Sequence, residues 1–119
     1  MVSISALSAF LFGSCLLAAK SEGNLEVLSY NVWYGFNKKP ERKAGYMDFV
    51  KERKPDVVSL QELNGYTPKQ LASDAKSWGH EHSVLLKENG FPTGITSSQP
   101  ITEVRRTFEG FHHGLIRCR

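Results

Sequence analysis

Residues 25–62, LEVLSYNVWYGFNKKPERKAGYMDFVKERKPDVVSLQE, decide the fold. Residues 25–30 alternate in part and follow Gly23-Asn24, which is the pattern of a strand. Val32 and Trp33 carry the apolar content past Asn31. Residues 40–54 read as a helix. Pro40 suits a first helical position, and Tyr46, Met47, Phe49 and Val50 recur at steps of three and four on one apolar face. Lys51, Arg53 and Lys54 place cations at its end, and Pro55 stops it. Residues 56–62, Asp-Val-Val-Ser-Leu-Gln-Glu, form a second strand. Strand, helix and strand within about 40 residues make a βαβ unit, with parallel strands and a right-handed crossover.

Downstream the pattern changes. Thr67-Pro68 opens a second helix as N-cap and first residue, with Leu71, Ala72, Ala75 and Trp78 on its apolar face and Gly79 at its end. Residues 83–87 and 93–98 read as a hairpin turned at Asn89-Gly90. Residues 102–108 and 113–118 read as a further antiparallel pair turned at Glu109-Gly110. The expected class is α/β, a βαβ unit followed by antiparallel strands. The chain ends at a predicted strand, so the sheet is expected to have an unprotected edge and the domain to be incomplete at its C-terminus.

Upstream, residues 1–19 carry no charged side chain, and residues 4–19 are apolar and small. That is the length of a signal-peptide core and short of the roughly 20 residues of a transmembrane span. Polarity rises at Lys20-Ser21-Glu22, and Ala19-x-Ser21 and Ser21-x-Gly23 both suit cleavage. The expectation is a signal peptide over residues 1–21, export to the cell envelope or beyond, and a domain over residues 22–119. Lipoprotein attachment at Cys15, preceded by Leu11-Phe12-Gly13-Ser14, is the alternative.

Composition bounds the rest. The 119 residues allow one small domain, and 40% apolar content allows a packed core. Fifteen Lys and Arg against twelve Asp and Glu leave +3, a balance that permits a phosphate-bearing partner without demanding one. Cys15 and Cys118 define neither a disulfide framework nor a metal spacing.

Ligands of open α/β sheets bind beyond the carboxyl ends of parallel strands. Asn31 ends the first strand and Glu62 the second. Neighbouring strands lie about 4.8 Å apart, so an amide oxygen and a carboxylate can converge on one point. Oxygen ligands of this kind suit a hard cation such as Mg²⁺, completed by water and substrate phosphate. Asn and Glu at strand ends also serve as turn and capping residues, and the pairing of the two across one βαβ unit is what favours chemistry.

The segments Leu28-Ser29-Tyr30-Asn31-Val32-Trp33 and Pro55-Asp56-Val57-Val58-Ser59-Leu60-Gln61-Glu62 resemble the first two motifs of the endonuclease/exonuclease/phosphatase family. Residues 90–101, ending in Ser98-Gln99-Pro100-Ile101, resemble its third. The resemblance covers roughly residues 25–118. It implies the first half of a four-layer α/β sandwich and hydrolysis of a phosphate ester by activated water with Mg²⁺ or Mn²⁺. Glu62 would be the principal metal ligand, with Gln61 as its structural neighbour. Asn31 would bind the metal or orient the scissile phosphate. Nucleic acid, phospholipid headgroups and sugar phosphates are all candidate substrates.

The family's general-base His, its Asp-x-Asn motif and its closing Asp-His pair have no match here. His112 and His113 lie too early to be the base and read as sheet or loop residues, and His80 and His82 flank the third strand on one face. Ser98-Gln99 lacks the basic residue often found after that serine. The chain alone is therefore expected to be inactive. The alternative is a secreted non-catalytic binding module that keeps half of the fold.

Overall fold

The structure is a computed structural model and describes residues 23–119; the leader expected over residues 1–21 and the Cys15 alternative lie outside the described residues. Eight elements follow in order: β1 Val27–Asn31, α1 Arg42–Arg53, β2 Val57–Gln61, α2 Pro68–Ser77, β3 His82–Leu85, β4 Gly94–Ser97, β5 Arg105–Thr107 and β6 Leu115–Arg117. The first four strands make one sheet in the order β1-β2-β4-β3, and β5 and β6 make a second. β1 and β2 run parallel, with Asn31 opposite Gln61, while β4 is antiparallel to both β2 and β3. This is the α/β architecture expected from residues 25–62, a βαβ unit followed by antiparallel strands.

Pairing sorts the sheet residues onto two faces. Leu28, Tyr30, Val58, Leu60, Gly94, Thr96 and Leu85 share the helix side by register. Val58, Leu60 and Leu85 pack there with Tyr46 and Val50 of α1 and Leu71 and Ala75 of α2. Tyr30 stacks on Tyr46 with ring centroids 4.7 Å apart, and Trp78 meets Tyr46 edge-on. The opposite face carries Val27, Ser29, Asn31, Val57, Ser59, Gln61, Ile95 and Val84. No helix among the described residues covers it, and Val27 is 55% exposed. The small β5-β6 sheet is tied to the end of β3 by the Arg106 guanidinium, which donates to the carbonyls of Leu85 (3.0 Å) and Leu86 (3.1 Å).

The helix ends show where local signals decide. Thr67 caps α2, its hydroxyl accepting from the Gln70 N–H, with Pro68 at the first position. Pro40 does not open α1. The helix begins at Arg42, with Glu41 as N-cap. Pro40 instead belongs to a run of tight turns in which Arg42 N–H donates to the Lys39 carbonyl and Lys43 N–H to the Pro40 carbonyl. β5 and β6 are also shorter than expected, three residues each, because the turn between them widens into a loop carrying Phe108, Phe111, His112 and His113.

His80 does not alternate with His82 along a strand. It precedes β3, is buried, and sits between the Thr96 hydroxyl (2.8 Å) and the Pro55 carbonyl (2.9 Å). Both ring nitrogens are engaged, so its role is to tie β4 to the turn before β2.

Two phenols are buried differently. Tyr66 donates to Asp74 at 2.7 Å, and Lys43 pairs with the same carboxylate at 2.8 Å. Burial, then this bond to Asp74, raises the Tyr66 phenol above its usual range. Burial likewise raises Tyr46, with Tyr30 adding to it. The Tyr46 hydroxyl, however, has no hydrogen-bond partner among the described residues. A buried unpaired hydroxyl costs about 1–3 kcal/mol. Tyr46→Phe keeps the ring contacts and removes that cost, so it is expected to stabilise the fold by about 1 kcal/mol in urea denaturation. Both phenols hold their proton more tightly folded than unfolded. Their contribution is complete below the ordinary phenol value of about 10 and is lost as pH rises through the folded values. Tyr46→Phe is therefore also expected to flatten the alkaline fall in stability.

Candidate functional site

β1 and β2 end side by side, and their next residues leave the strand geometry. Val32 N–H still donates to the Gln61 carbonyl, extending the parallel ladder by one bond. Alternation would then turn Glu62 towards the helices, opposite to Gln61. Glu62 instead adopts φ 57, in the left-handed region, and its carboxylate meets Asn31. Asn31 Nδ2 donates to Glu62 Oε1 at 3.0 Å.

The chain after Val32 then makes a left-handed turn. Trp33, Tyr34, Gly35 and Phe36 have φ of 47, 58, 64 and 67. Side chains disfavour this region by roughly 1–2 kcal/mol per residue, and three of the four carry one. The turn aims three successive N–H groups at the strand ends: Trp33 donates to Asn31 Oδ1 (2.8 Å), Tyr34 to Glu62 Oε2 (3.3 Å) and Gly35 to the Glu62 carbonyl (2.7 Å). Phe36 N–H closes it on the Val32 carbonyl at 2.8 Å. Strain held in place by converging hydrogen bonds is characteristic of functional sites.

These bonds also orient the Asn31 amide. A backbone N–H can only donate, so the group facing Trp33 must be the oxygen and the group facing Glu62 the NH₂. The amide oxygen is thus turned to Trp33 and not, as the strand-end reading expected, to the point it shares with the carboxylate; it is the amide NH₂ that meets Glu62, as a donor. Gln61, on the open face, donates through Nε2 to Ser29 Oγ (3.1 Å) and to Ser59 Oγ (3.1 Å). That bond row holds the ends of the two strands in register.

Each Glu62 oxygen accepts one hydrogen bond and keeps a further lone pair, and Asn31 is exposed. The site thus offers one hard carboxylate to solvent, which fits a hydrated Mg²⁺ or Mn²⁺ better than a cage built wholly of side chains. Among the described residues no group of three or more His, Cys, Asp or Glu could hold a metal ion. A small cleft of about 30 Å³ opens beside Asn31, lined by Trp33, Phe36, Lys39 and Arg42. Lys39 and Arg42 bring positive charge to the edge of the site. Both cations belong to the basic run over residues 38–43, which by composition alone reads as solvated surface; the left-handed turn had only Gly35 in an aromatic-rich loop as its signal. His112 and His113 lie in the β5–β6 loop, ring against ring at 4.4 Å, and His113 meets Phe91 at 5.3 Å.

A larger cavity, about 510 Å³, lies elsewhere, lined by Lys51, Lys54, Asp56, Trp78 and Ser98 beside the start of β2. Its histidine is the tied His80. The carboxyl ends of β1 and β2 carry the converging polar groups, at the position where ligands of open α/β sheets bind. No helix among the described residues is long and apolar enough to cross a membrane.

No known protein-family profile and no curated protein matches the chain. Solved structures do. The chain is similar to a D. rerio TDP2 humanized by 14 mutations, at 25% identity and a TM-score of 0.57, over 71% of this chain and 37% of that one. It is similar to D. rerio TDP2 in complex with a single-strand DNA product, at 23% identity and a TM-score of 0.61, over 79% of this chain and 39% of that one. It is also similar to an AP endonuclease from Archaeoglobus fulgidus, at 24% identity and a TM-score of 0.57, over 73% of this chain and 32% of that one. The chain therefore spans about a third to two fifths of the length of these structures and shares with them the fold of that part.

Proposed function

We propose that this chain carries the metal-holding part of a phosphoesterase of the endonuclease/exonuclease/phosphatase family, with Glu62 as the metal carboxylate and Asn31 as the residue that positions it. The observation that carries the reading is the hydrogen-bonded meeting of Asn31 and Glu62 at the ends of two parallel strands. The likeness to structures of TDP2 and an AP endonuclease supports hydrolysis of a phosphate ester. The leader read over residues 1–21 adds export to the proposal.

Each residue has a role set by its contacts. Glu62 presents a carboxylate whose two oxygens are held by Asn31 and by the Tyr34 N–H, so its free lone pairs point in fixed directions. When bound there, a divalent cation would polarise a phosphoryl oxygen and offset charge developing on it. Lys39 and Arg42 flank the cleft and attract the substrate phosphate, Arg42 as a two-pronged donor and Lys39 as a point charge. The base that activates water is assigned to none of the described residues.

The test is a titration of the full 119-residue chain with Mn²⁺, followed by electron paramagnetic resonance, alongside an assay with Mg²⁺ and a phosphodiester. The expected result is one Mn²⁺ site and no turnover by the chain alone. Absence of Mn²⁺ binding defeats the metal role of Glu62. Turnover by the isolated chain shows instead that a base is present within it.

A further inference from the structure

We infer that the β5–β6 hairpin is a membrane-docking element, which rests its arginines on the anionic headgroups of a lipid surface and sinks the phenylalanines of its tip below them. The inference goes beyond the phosphoesterase reading and does not depend on a metal at Glu62. Register decides which side of the hairpin is free. Arg105 pairs with Arg117, Arg106 with Ile116 and Thr107 with Leu115. Alternation puts Arg106 and Ile116 on one face. That face is turned to the domain, since the Arg106 guanidinium holds the Leu85 and Leu86 carbonyls. Arg105, Arg117, Thr107 and Leu115 share the other face, and all four are exposed. Beyond Thr107 the chain turns through Phe108-Glu109-Gly110-Phe111, closed by the bond from Phe111 N–H to the Phe108 carbonyl (3.1 Å), with Gly110 at φ 77. This turn presents both phenylalanines, each 49% exposed, and Leu115 is 45% exposed.

Two features of this surface are unfavourable for a hairpin left in water. Like charges directly opposite across an antiparallel pair destabilise it. Arg105 and Arg117 are such a pair, and neither is in an ion pair among the described residues. Three large apolar side chains stand half-exposed beside them. An anionic bilayer relieves both at once, because its headgroups supply many mobile negative charges and its hydrocarbon lies just beneath. The order along the hairpin matches that layering. Three residues at about 3.3 Å each put Phe108 about 10 Å beyond Arg105, close to the roughly 5–10 Å to which amphipathic elements bury their apolar side at a membrane surface. Lys87 Nζ, 5.9 Å from the Phe108 centroid, adds a cation behind the tip. Glu109 is the one acid within residues 105–117, and Glu103 outside them is held by Arg119 at 3.3 Å. An acidic protein would match the arginines but offer no hydrocarbon layer to the tip.

Co-sedimentation of the full 119-residue chain with vesicles of phosphatidylcholine alone, and of equal parts phosphatidylcholine and phosphatidylglycerol, tests this. Binding to the anionic vesicles is expected to be at least about tenfold tighter and to weaken as salt rises. Wild type and variants share residues 1–19, which carry no charged side chain, so differences among them read the hairpin. The double variant Arg105→Gln, Arg117→Gln should bind anionic vesicles about 30-fold less tightly, yet melt no lower than wild type, because it loses a repelling pair. Phe111→Ser should weaken binding about tenfold. Phe111→Trp should keep it, with the added emission moving to the blue on anionic vesicles. Glu109→Gln, which removes the acid at the tip, should tighten binding about fivefold. Equal binding to neutral and anionic vesicles, or binding unmoved by both the arginine pair and Phe111→Ser, overturns the inference. So does a chain that ignores vesicles but dimerises on size exclusion until Phe111→Ser makes it monomeric; the hairpin tip then meets a second copy instead of a membrane.

Discussion

Gly35→Ala is expected to lower the melting temperature by about 15 °C or more. A Cβ at Gly35 would stand 2.3 Å from the Asn64 carbonyl oxygen. That neighbour is backbone, so it cannot swing aside as a flexible side chain would. Gly35 also sits at φ 64, where a side chain costs roughly 1–2 kcal/mol without any clash. Moving the turn to relieve the contact breaks the 2.7 Å bond from Gly35 N–H to the Glu62 carbonyl, about 0.5–1.5 kcal/mol more. A combined loss of about 3 kcal/mol is a large share of a small domain's stability, and each kcal/mol shifts melting by about 4–8 °C at this size. Gly65→Ala is the control. Gly65 has φ 79 but nothing within 4 Å of a new Cβ, so only the conformational cost remains. Circular dichroism melts of the two variants separate the contributions. A Gly35→Ala melt within about 3 °C of wild type would show that the close approach to Asn64 is not tight.

The same turn marks the limit of what the sequence made legible. The strands of the βαβ unit and the second helix were readable because their signals are local: Val and Leu runs between turn residues, and Thr67-Pro68 at a helix start. Register then followed, since Val58 and Leu60 must face the helices and Ser59 and Gln61 must not. Convergence of Asn31 and Glu62 was readable for the same reason, because both follow parallel neighbours. The direction of the Asn31 amide was not, since it depends on Trp33 N–H, and Trp33 reaches it only through a left-handed turn. Nothing in Trp-Tyr-Gly-Phe announces four successive positive φ values; three of those residues resist them, and hydrogen bonds to Glu62, 28 residues beyond Tyr34, help to hold them there. Pro40 misled for a related reason: a good first helical residue was placed in a preceding turn because the chain enters α1 from that loop. The ring contacts from Tyr34 to Phe91, on to His113 and then His112, are likewise a tertiary product, assembled from segments that share no local pattern.

Glu62→Gln should abolish Mn²⁺ binding, weakening it by at least about 100-fold, beyond the 10–100-fold typical for losing a residue that merely orients a ligand. The substitution conserves shape, which isolates two effects. It removes the charge that a hard cation requires. It also mismatches the surroundings, because both neighbours of the carboxylate are donors, Asn31 Nδ2 at 3.0 Å and Tyr34 N–H at 3.3 Å. A glutamine amide can accept from only one of them with its oxygen and sets its own NH₂ against the other. Asn31→Ala leaves the carboxylate in place but frees it, so it should weaken Mn²⁺ binding by about 10–100-fold. Asn31→Asp gives the diagnostic result. Its carboxylate can keep the bond from Trp33 N–H, but it loses the donor to Glu62 and sets a second negative charge against the first. Two carboxylates in contact repel, and a divalent cation between them relieves the repulsion. Asn31→Asp should therefore melt below wild type without metal and gain more from added Mn²⁺ than wild type does. If Mn²⁺ raises its melting temperature no more than that of Glu62→Gln, Glu62 holds no cation, and the strand-end pair is a turn-locking contact rather than a metal centre.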